Sequence, residues 1–288
     1  MTLKETAPAK VNLTLKVIGK RSDGFHELIS LVAFASVGDV LEFVPEGELS
    51  LRVAGPFARD LGEHNLVLRA ASLLLEQYPG WRAGAFALDK RLPVASGLGG
   101  GSADAAAALR LMERAASEHV PGETIAQTAR QLGADVSVCL GSQASVMRGR
   151  GEKLTHVSAL PALSAVLVNP GVALGTEHVY AALNAPPLKE AHAGGEENTP
   201  VSFESADALI AYIQCTGNDL EAAAIELAPV IAEVRAALQA LAGCRLVQMS
   251  GSGPTCFGIY GNADEARAAV QIISAAHPQW WVVATELG

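Results

Sequence analysis

Residues 93–112 read PVASGLGGGSADAAAALRLM. Gly97, Gly99, Gly100 and Gly101 are interleaved with Ser96, Leu98 and Ser102, and an alanine-rich helical pattern follows directly. Glycine adopts positive φ at little cost and lets a backbone approach a ligand closely. A helix start presents unpaired N–H groups and the positive end of a dipole, so loop plus helix suits an anion, and phosphate is the natural candidate. The plainer reading is a tight turn in which Ser102 or Asp104 caps an ordinary helix. The stretch alone does not choose between them.

The commoner phosphate loops do not fit. No G-x-x-x-x-G-K-[ST] occurs, which argues against a P-loop NTPase. A dinucleotide site would place the loop after the first strand, with an acidic residue about 20 positions later. Here the loop follows AFALDKRLPV, well into the chain, and Glu113 and Glu118 come too early. The H-R-D and D-F-G signatures of protein kinases are absent too.

Composition narrows the class. The chain has 288 residues, half of them hydrophobic, and a net charge of −9. That length suits one large or two moderate domains with a substantial core. The acidic balance disfavours nucleic acid as a partner, but a nucleotide needs only a local positive patch. Cys139, Cys215, Cys244 and Cys256 show no C-x-x-C spacing and read as reduced core residues. No secretory signal and no apolar run of about 18 residues is visible, so a cytoplasmic protein without a membrane span is expected.

Along the chain, Lys10 to Val17 alternates polar and apolar residues, predicting a half-buried strand with Lys10, Asn12, Thr14 and Lys16 on one face. Arg21-Ser22-Asp23-Gly24 reads as a turn. Strands are predicted at 28–37, 39–44, 48–54, 84–89, 143–148, 163–168, 245–249, 256–260 and 280–284. Helices are predicted at 65–77, from the glycine loop to about 117, and at 123–132, 204–213, 218–227, 229–241 and 263–276. The segment 184–200, rich in Pro, Gly and charge, reads as a linker. Early strands followed by alternating helices and strands give an α+β fold in two parts.

A second glycine–serine loop, Ser250-Gly251-Ser252-Gly253, follows a predicted strand and could present N–H groups to an anion. Alone it reads as a hairpin connection; two such loops in one chain favour a polyphosphate ligand.

Three boxes in order, Ala7-Pro8-Ala9-Lys10-Val11-Asn12, the loop from Pro93 to Ser102, and Ser250 to Gly253, make the chain resemble the GHMP kinase superfamily. AKVNLTLKVIGKRSDGFHEL, LGADVSVCL, NPGVALGT and GNDLE narrow the resemblance to the branch acting on a cytidyl diphosphate of methylerythritol in non-mevalonate isoprenoid synthesis. Two positions depart from it: Ala95-Ser96, where many members have further glycines, and Phe25, where a tyrosine is common.

The resemblance implies an N-terminal domain (1–155) like ribosomal protein S5 domain 2, a ferredoxin-like C-terminal domain (156–288), and a site in the cleft between them. It implies ATP as phosphoryl donor, Mg²⁺ as counter-ion and phosphorylation of a methylerythritol hydroxyl to the 2-phosphate. Asp135 matches the catalytic aspartate and Lys10 its partner; by sequence alone, Asp135 would be a helix cap and Lys10 a solvated strand lysine. Pro93, Gly97, Leu98, Gly99, Gly100, Gly101 and Ser102 would hold the ATP phosphates. Asn65, Leu66 and Lys90 match adenine-side positions, though a helix cap, a core leucine and a surface lysine are their plainer readings. Asn12, Thr176, Gly251 and Ser252 would contact substrate, with Phe25 and Tyr180 stacking on the cytosine and His26 hydrogen-bonding its edge. No acidic cluster marks a metal cage, so no direct protein ligands to a metal are expected beyond a touch from Ser102. The expected partner is a small molecule, and the expected state a monomer or weak homodimer. The competing readings are another kinase of the superfamily, for homoserine or mevalonate, and a nucleotide-binding module without catalysis.

Overall fold

The computed structural model describes residues 1–61, 65–116, 121–189 and 199–288. Its contacts divide the chain into two units that interleave in sequence: Met1–Lys10, Val37–Val94 and Gly99–Ser142 form the first, and Val11–Ser36, Ala95–Leu98 and Gln143–Gly288 the second. The glycine loop therefore changes unit between Leu98 and Gly99.

In the first unit, strand β1 (Leu3–Asn12) contributes all but its last two residues and β3 (His26–Val44) its second half. β5 (Ala85–Asp89) pairs antiparallel with β3, Val40 opposite Asp89, and β4 (Ser50–Ala54) runs parallel to β5. Phe43 stacks on Phe86 at 4.4 Å between ring centroids. Among the described residues four α-helices complete the unit: α1 (Leu66–Gln77), α2 (Gly100–Ala115), α3 (Gly122–Leu132) and α4 (Ala134–Gly141). α2 is buried along most of its length, and its run Ala105 to Ala108 explains how: methyl side chains let neighbouring helices approach closely without voids.

The second unit holds β2 (Lys16–Lys20), the first half of β3, β6 (Ser145–Gly149), β7 (Lys153–His156) and β8 (Leu163–Asn169). Then come α5 (Thr176–Leu183), α6 (Ala206–Thr216), α7 (Glu221–Leu227), α8 (Val230–Gln239), β9 (Cys244–Met249), β10 (Cys256–Tyr260), α9 (Ala263–Ala276) and β11 (Trp281–Leu287). Strands β9, β10, β8 and β11 lie side by side in that order, all antiparallel, with α8 and α9 in the connections. This is the βαββαβ arrangement of a ferredoxin-like domain, with β8 central. β8 is buried along nearly its whole length, and its Val166 and Val168 face packs in one cluster with Ile231, Val234 and Leu238 of α8 and Ala266, Ala269 and Ile273 of α9.

Several elements differ from the sequence reading. Residues 28–37 and 39–44 form one strand, β3, because Gly38 serves close packing: a Cβ there would overlap the Ala7 backbone of β1. The strand predicted over 10–17 ends at Asn12, where Leu13 and Thr14 both donate to the Leu31 carbonyl, and resumes as β2 at Lys16. α5 and β7 were not predicted; α5 is eight residues long and every residue of β7 is exposed, so neither carries a buried periodicity. Cys139 and Cys256 are core residues, but Cys215 is exposed and Cys244 half-buried; all four are free. Of the predicted linker, 190–198 lies outside the described residues, as does the predicted helix end at 117. Among the described residues no helix is long and apolar enough to cross a membrane.

Candidate active site

In the first unit, α2 begins inside the glycine run. Gly99 is its N-cap at φ 62°, and Ala103 N–H donates to the Gly99 carbonyl at 2.9 Å. Ser102 and Asp104 therefore lie within the helix, not at its cap, and no side chain bonds the cap position. The N–H groups of Gly100, Gly101 and Ser102 precede the helical ladder, which leaves them to an outside acceptor. Gly101 is exposed and Gly99 and Ser102 half-buried, so this end is accessible. Leu66 opens α1 beside it, with Cδ1 3.8 Å from where a Gly101 Cβ would stand. Asn65 caps α1, accepting from Val67 N–H at 2.8 Å.

Lys10 and Asp135 meet next to Gly99. Lys10 Nζ lies 3.2 Å from Asp135 Oδ2. A Cβ on Gly99 would stand 3.1 Å from Lys10 Cε and 4.0 Å from Asp135 Oδ2, so three separate sequence boxes converge on one spot. The lysine is buried, and the carboxylate, 42% exposed, offsets its desolvation. Asp135 occupies the first turn of α4, where the helix dipole favours negative charge. Cys139, one turn on, is not a rival nucleophile: burial, reinforced by Asp135, pushes its thiol up to about 12.

Lys90 is not a surface lysine. It is 1% exposed, and its Nζ donates to Asp39 and, at 2.8 Å, to Asp104. Asp39 Oδ1 also accepts from the N–H groups of Arg91 and Leu92. Nζ stands 3.0 Å from where a Gly100 Cβ would be, so this buried triad supports the first turn of α2 from beneath. Asp104 Oδ1 has no hydrogen-bond partner among the described residues. Burial raises the Asp104 carboxyl to about 7, with nearby Asp39 adding to the shift and Lys90 opposing it.

In the second unit the two glycine loops adjoin. Ser250 Oγ accepts from Asn12 N–H and donates to the Gly97 carbonyl, both at 3.0 Å. Gly97, at φ 76°, has no room for a side chain, since a Cβ would overlap the Ser250 carbonyl oxygen. A Cβ on Gly251 would stand 3.1 Å from Asn12 Oδ1, and Asn12 Nδ2 donates to Ser30 Oγ at 2.7 Å. Thr176 Oγ1 and Ser252 Oγ share a hydrogen bond of 2.8 Å.

His26 stacks on Tyr180, ring centroids 4.7 Å apart. Burial lowers the His26 pKa below its ordinary value, with Lys20 contributing, which keeps the imidazole neutral at pH 7, able to donate and to accept. Phe25 stands 54% exposed with the Arg150 guanidinium 4.8 Å from its ring centre. Asp23 shapes this turn by accepting from Phe25 N–H at 3.1 Å.

Sequence reasoning missed Ser30, Asp39, Asn218 and Arg150, and singled out the Ser250 loop without the bonds that Ser250 Oγ makes to Asn12 and Gly97. Asn218, inside the GNDLE motif, donates to the Met249 and Gly251 carbonyls at 2.8 Å and so braces the second loop. The motif was a signal for Asn218; Ser30, Asp39 and Arg150 had none, because only tertiary contacts give them a role.

A kinase built around a glycine-rich helix start is the class this arrangement defines, and the family comparison agrees. The models "GHMP kinases N terminal domain" and "GHMP kinases C terminal" match residues 65–144 and 198–279. A Rhodopseudomonas palustris protein named 4-diphosphocytidyl-2-C-methyl-D-erythritol kinase is 49% identical, covering all of this chain and 98% of its own. One of the same name from Parvibaculum lavamentivorans is 50% identical, covering 99% and 98%. The chain belongs to the 4-diphosphocytidyl-2-C-methyl-D-erythritol kinase family of the GHMP kinases. A crystal structure of 4-(cytidine 5'-diphospho)-2C-methyl-D-erythritol kinase superposes at TM-score 0.78 with 38% identity over 99% of both chains. Homoserine kinase from Cytophaga hutchinsonii, at TM-score 0.72 and 19% identity over 99% of this chain and 94% of its own, shares the fold.

Proposed function

We infer that this chain transfers a phosphoryl group from ATP to the 2-hydroxyl of 4-diphosphocytidyl-2-C-methyl-D-erythritol. The observation that carries the reading is the Lys10–Asp135 pair beside the uncapped, glycine-built start of α2. Phosphoryl transfer asks mainly for positioning and for stabilisation of charge on the migrating group. The N–H groups of Gly100 to Ser102 and the α2 dipole receive the ATP phosphates, with Gly97 to Gly99 shaping the loop and Pro93 leading into it. Asn65, Leu66 and Lys90 act on the adenine side, Lys90 by supporting α2 from within the core. Asp135 accepts the proton of the 2-hydroxyl as its oxygen bonds the γ-phosphorus and the bond to the departing ADP breaks; Lys10 orients Asp135 and offsets charge on the moving group.

The cytidyl end falls to the second unit. Phe25 and Tyr180 offer ring faces to the cytosine and neutral His26 its polar edge. Asn12, Thr176, Gly251 and Ser252 line the second loop, where the diphosphate and methylerythritol hydroxyls find donors. Mg²⁺ would be held through the ATP phosphates, with the Ser102 hydroxyl as the protein group offered to it, and would supply shielding of their charge. The Ser102 hydroxyl, half-buried in the first turn of α2, is a hard oxygen donor of the kind that ion takes. The boundary between the N-terminal domain (1–155) and the C-terminal domain (156–288) falls between the two family matches. The protein acts in the cytoplasm, as a monomer or weak homodimer.

The test is ADP release with ATP, Mg²⁺ and the cytidyl substrate, beside homoserine and mevalonate. Turnover of the cytidyl compound alone is expected. Turnover of another alcohol instead removes the cytidine assignment, and silence on all three removes the kinase reading.

A further inference from the structure

Three elements of the first unit each carry one part of the proposed chemistry: β1 carries Lys10, α2 the phosphate-facing N–H groups, and α4 Asp135. One side chain ties all three together. Arg110, on α2, donates through Nε to Glu5 of β1 and through one terminal nitrogen to the carbonyls of Cys139 (2.7 Å) and Leu140 (2.9 Å) of α4. Arg114, one turn along α2, donates to the other Glu5 oxygen at 2.8 Å. Arg110 and Glu5 are mostly buried, so the contacts are sheltered from solvent screening.

We propose that Arg110, held by Glu5, is a positioning residue for phosphoryl transfer: it locks the end of α4 to α2 and β1, and thereby fixes Asp135 against Lys10. The proposal rests on the kinase reading above. α4 has only eight residues, too few to hold a helix by its own hydrogen bonds. Its last carbonyls have no partner within the helix, and a guanidinium at that end both bonds them and complements the dipole. Cys139 lies one turn beyond Asp135, so a shift at the clamped end is carried to the carboxylate by a rigid segment. A lysine could meet Glu5 or the carbonyls, but has no fork with which to span both.

The experiment compares Arg110→Met, which keeps an aliphatic stem and removes the donors, with Glu5→Gln, in the full-length protein and again in an Asp135→Asn background. Wild-type turnover of the cytidyl substrate is measured first. The expected result for Arg110→Met is a kcat about tenfold lower, with KM for ATP and for the cytidyl substrate each within about twofold of wild type. Glu5→Gln shifts kcat the same way by less. In the Asp135→Asn background Arg110→Met changes kcat by under about twofold, because the group it positions no longer acts. If Arg110→Met does not fold, Glu5→Gln carries the same comparison. A folded variant with wild-type kcat, or an equal loss in both backgrounds, overturns the positioning role while leaving the kinase reading intact. Absence of wild-type turnover overturns the kinase reading, and this one with it.

Discussion

Lys10 Nζ stands 3.2 Å from Asp135 Oδ2, the lysine closed off from solvent and the carboxylate 42% open to it. That asymmetry suits a pair in which one partner is fixed and the other faces the reacting hydroxyl. Asp135→Asn removes the negative charge at nearly constant shape. The expected outcome is a kcat about 10²–10⁴ lower with little change in KM for ATP, read by steady-state ADP release. The melting temperature is expected to fall as well, since the substitution removes a charge that offsets the desolvation of the buried Lys10 ammonium, so kcat is measured well below the variant's melting range. Turnover near the wild-type value would remove Asp135 from the chemistry.

What the sequence made legible was local. The glycine run, the amphipathic helices and the apolar strands β8 to β11 carry their structure in periodicity and composition, while the ferredoxin-like order was implied only by the family resemblance. The meeting of Lys10 with Asp135 was readable only through the family resemblance, because nothing in either segment points at the other. Lys90 shows the limit most clearly: flanked by Asp89 and Arg91, it looks like a surface charge, yet it is buried by Asp39 and Asp104 from other elements. Arg150 is similar, since its place over Phe25 depends on the pairing of β6 with β3.

Ala95 and Gly97 lie two positions apart and should respond oppositely to exchange. Gly97 at φ 76° is overlapped by the Ser250 carbonyl if it gains a Cβ. Gly97→Ala is expected to lower the melting temperature and raise KM for ATP, because the loop must move off Ser250. Ala95 already holds φ 50° with a side chain in place, a conformation that costs an L-residue about 1 kcal/mol. Ala95→Gly is expected to stabilise the protein by up to that amount in urea unfolding. A destabilised Ala95→Gly would show that the strain is already relieved by its neighbours.

Asp104 sets a pH dependence of stability. Its carboxyl is raised to about 7 in the folded protein, from the ordinary carboxylate range near 4 when unfolded, with burial the main cause. The native state therefore holds this proton more tightly, so its contribution is greatest below the unfolded pKa and is lost as pH rises from about 4 to about 7. Lys90 is raised too, so its contribution is constant across that window and fades only in alkali. Asp104→Asn cannot ionise. Melting curves from pH 5 to pH 8 are expected to show the variant gaining on the wild-type protein by several degrees as pH rises. A gap that does not change with pH would mean that Asp104 stays ionised throughout.

Phe25 separates the cytidyl end from the nucleotide end. Its ring is exposed, set by the Asp23 turn and touched by Arg150, so truncation costs little core packing. Stacking of a base on an aromatic ring is worth about 1–3 kcal/mol, or roughly 5- to 150-fold in affinity. Phe25→Ala is therefore expected to raise KM for the cytidyl substrate about tenfold or more while KM for ATP moves by less than about twofold. His26 supplies a companion readout: its pKa is lowered by burial, so it stays neutral until pH falls through that value. Protonation removes its acceptor, and KM for the cytidyl substrate is expected to rise on that acid limb alone. Equal changes in both KM values on truncating Phe25 would place the ring outside the cytosine site, and an acid limb shared by ATP would do the same for His26.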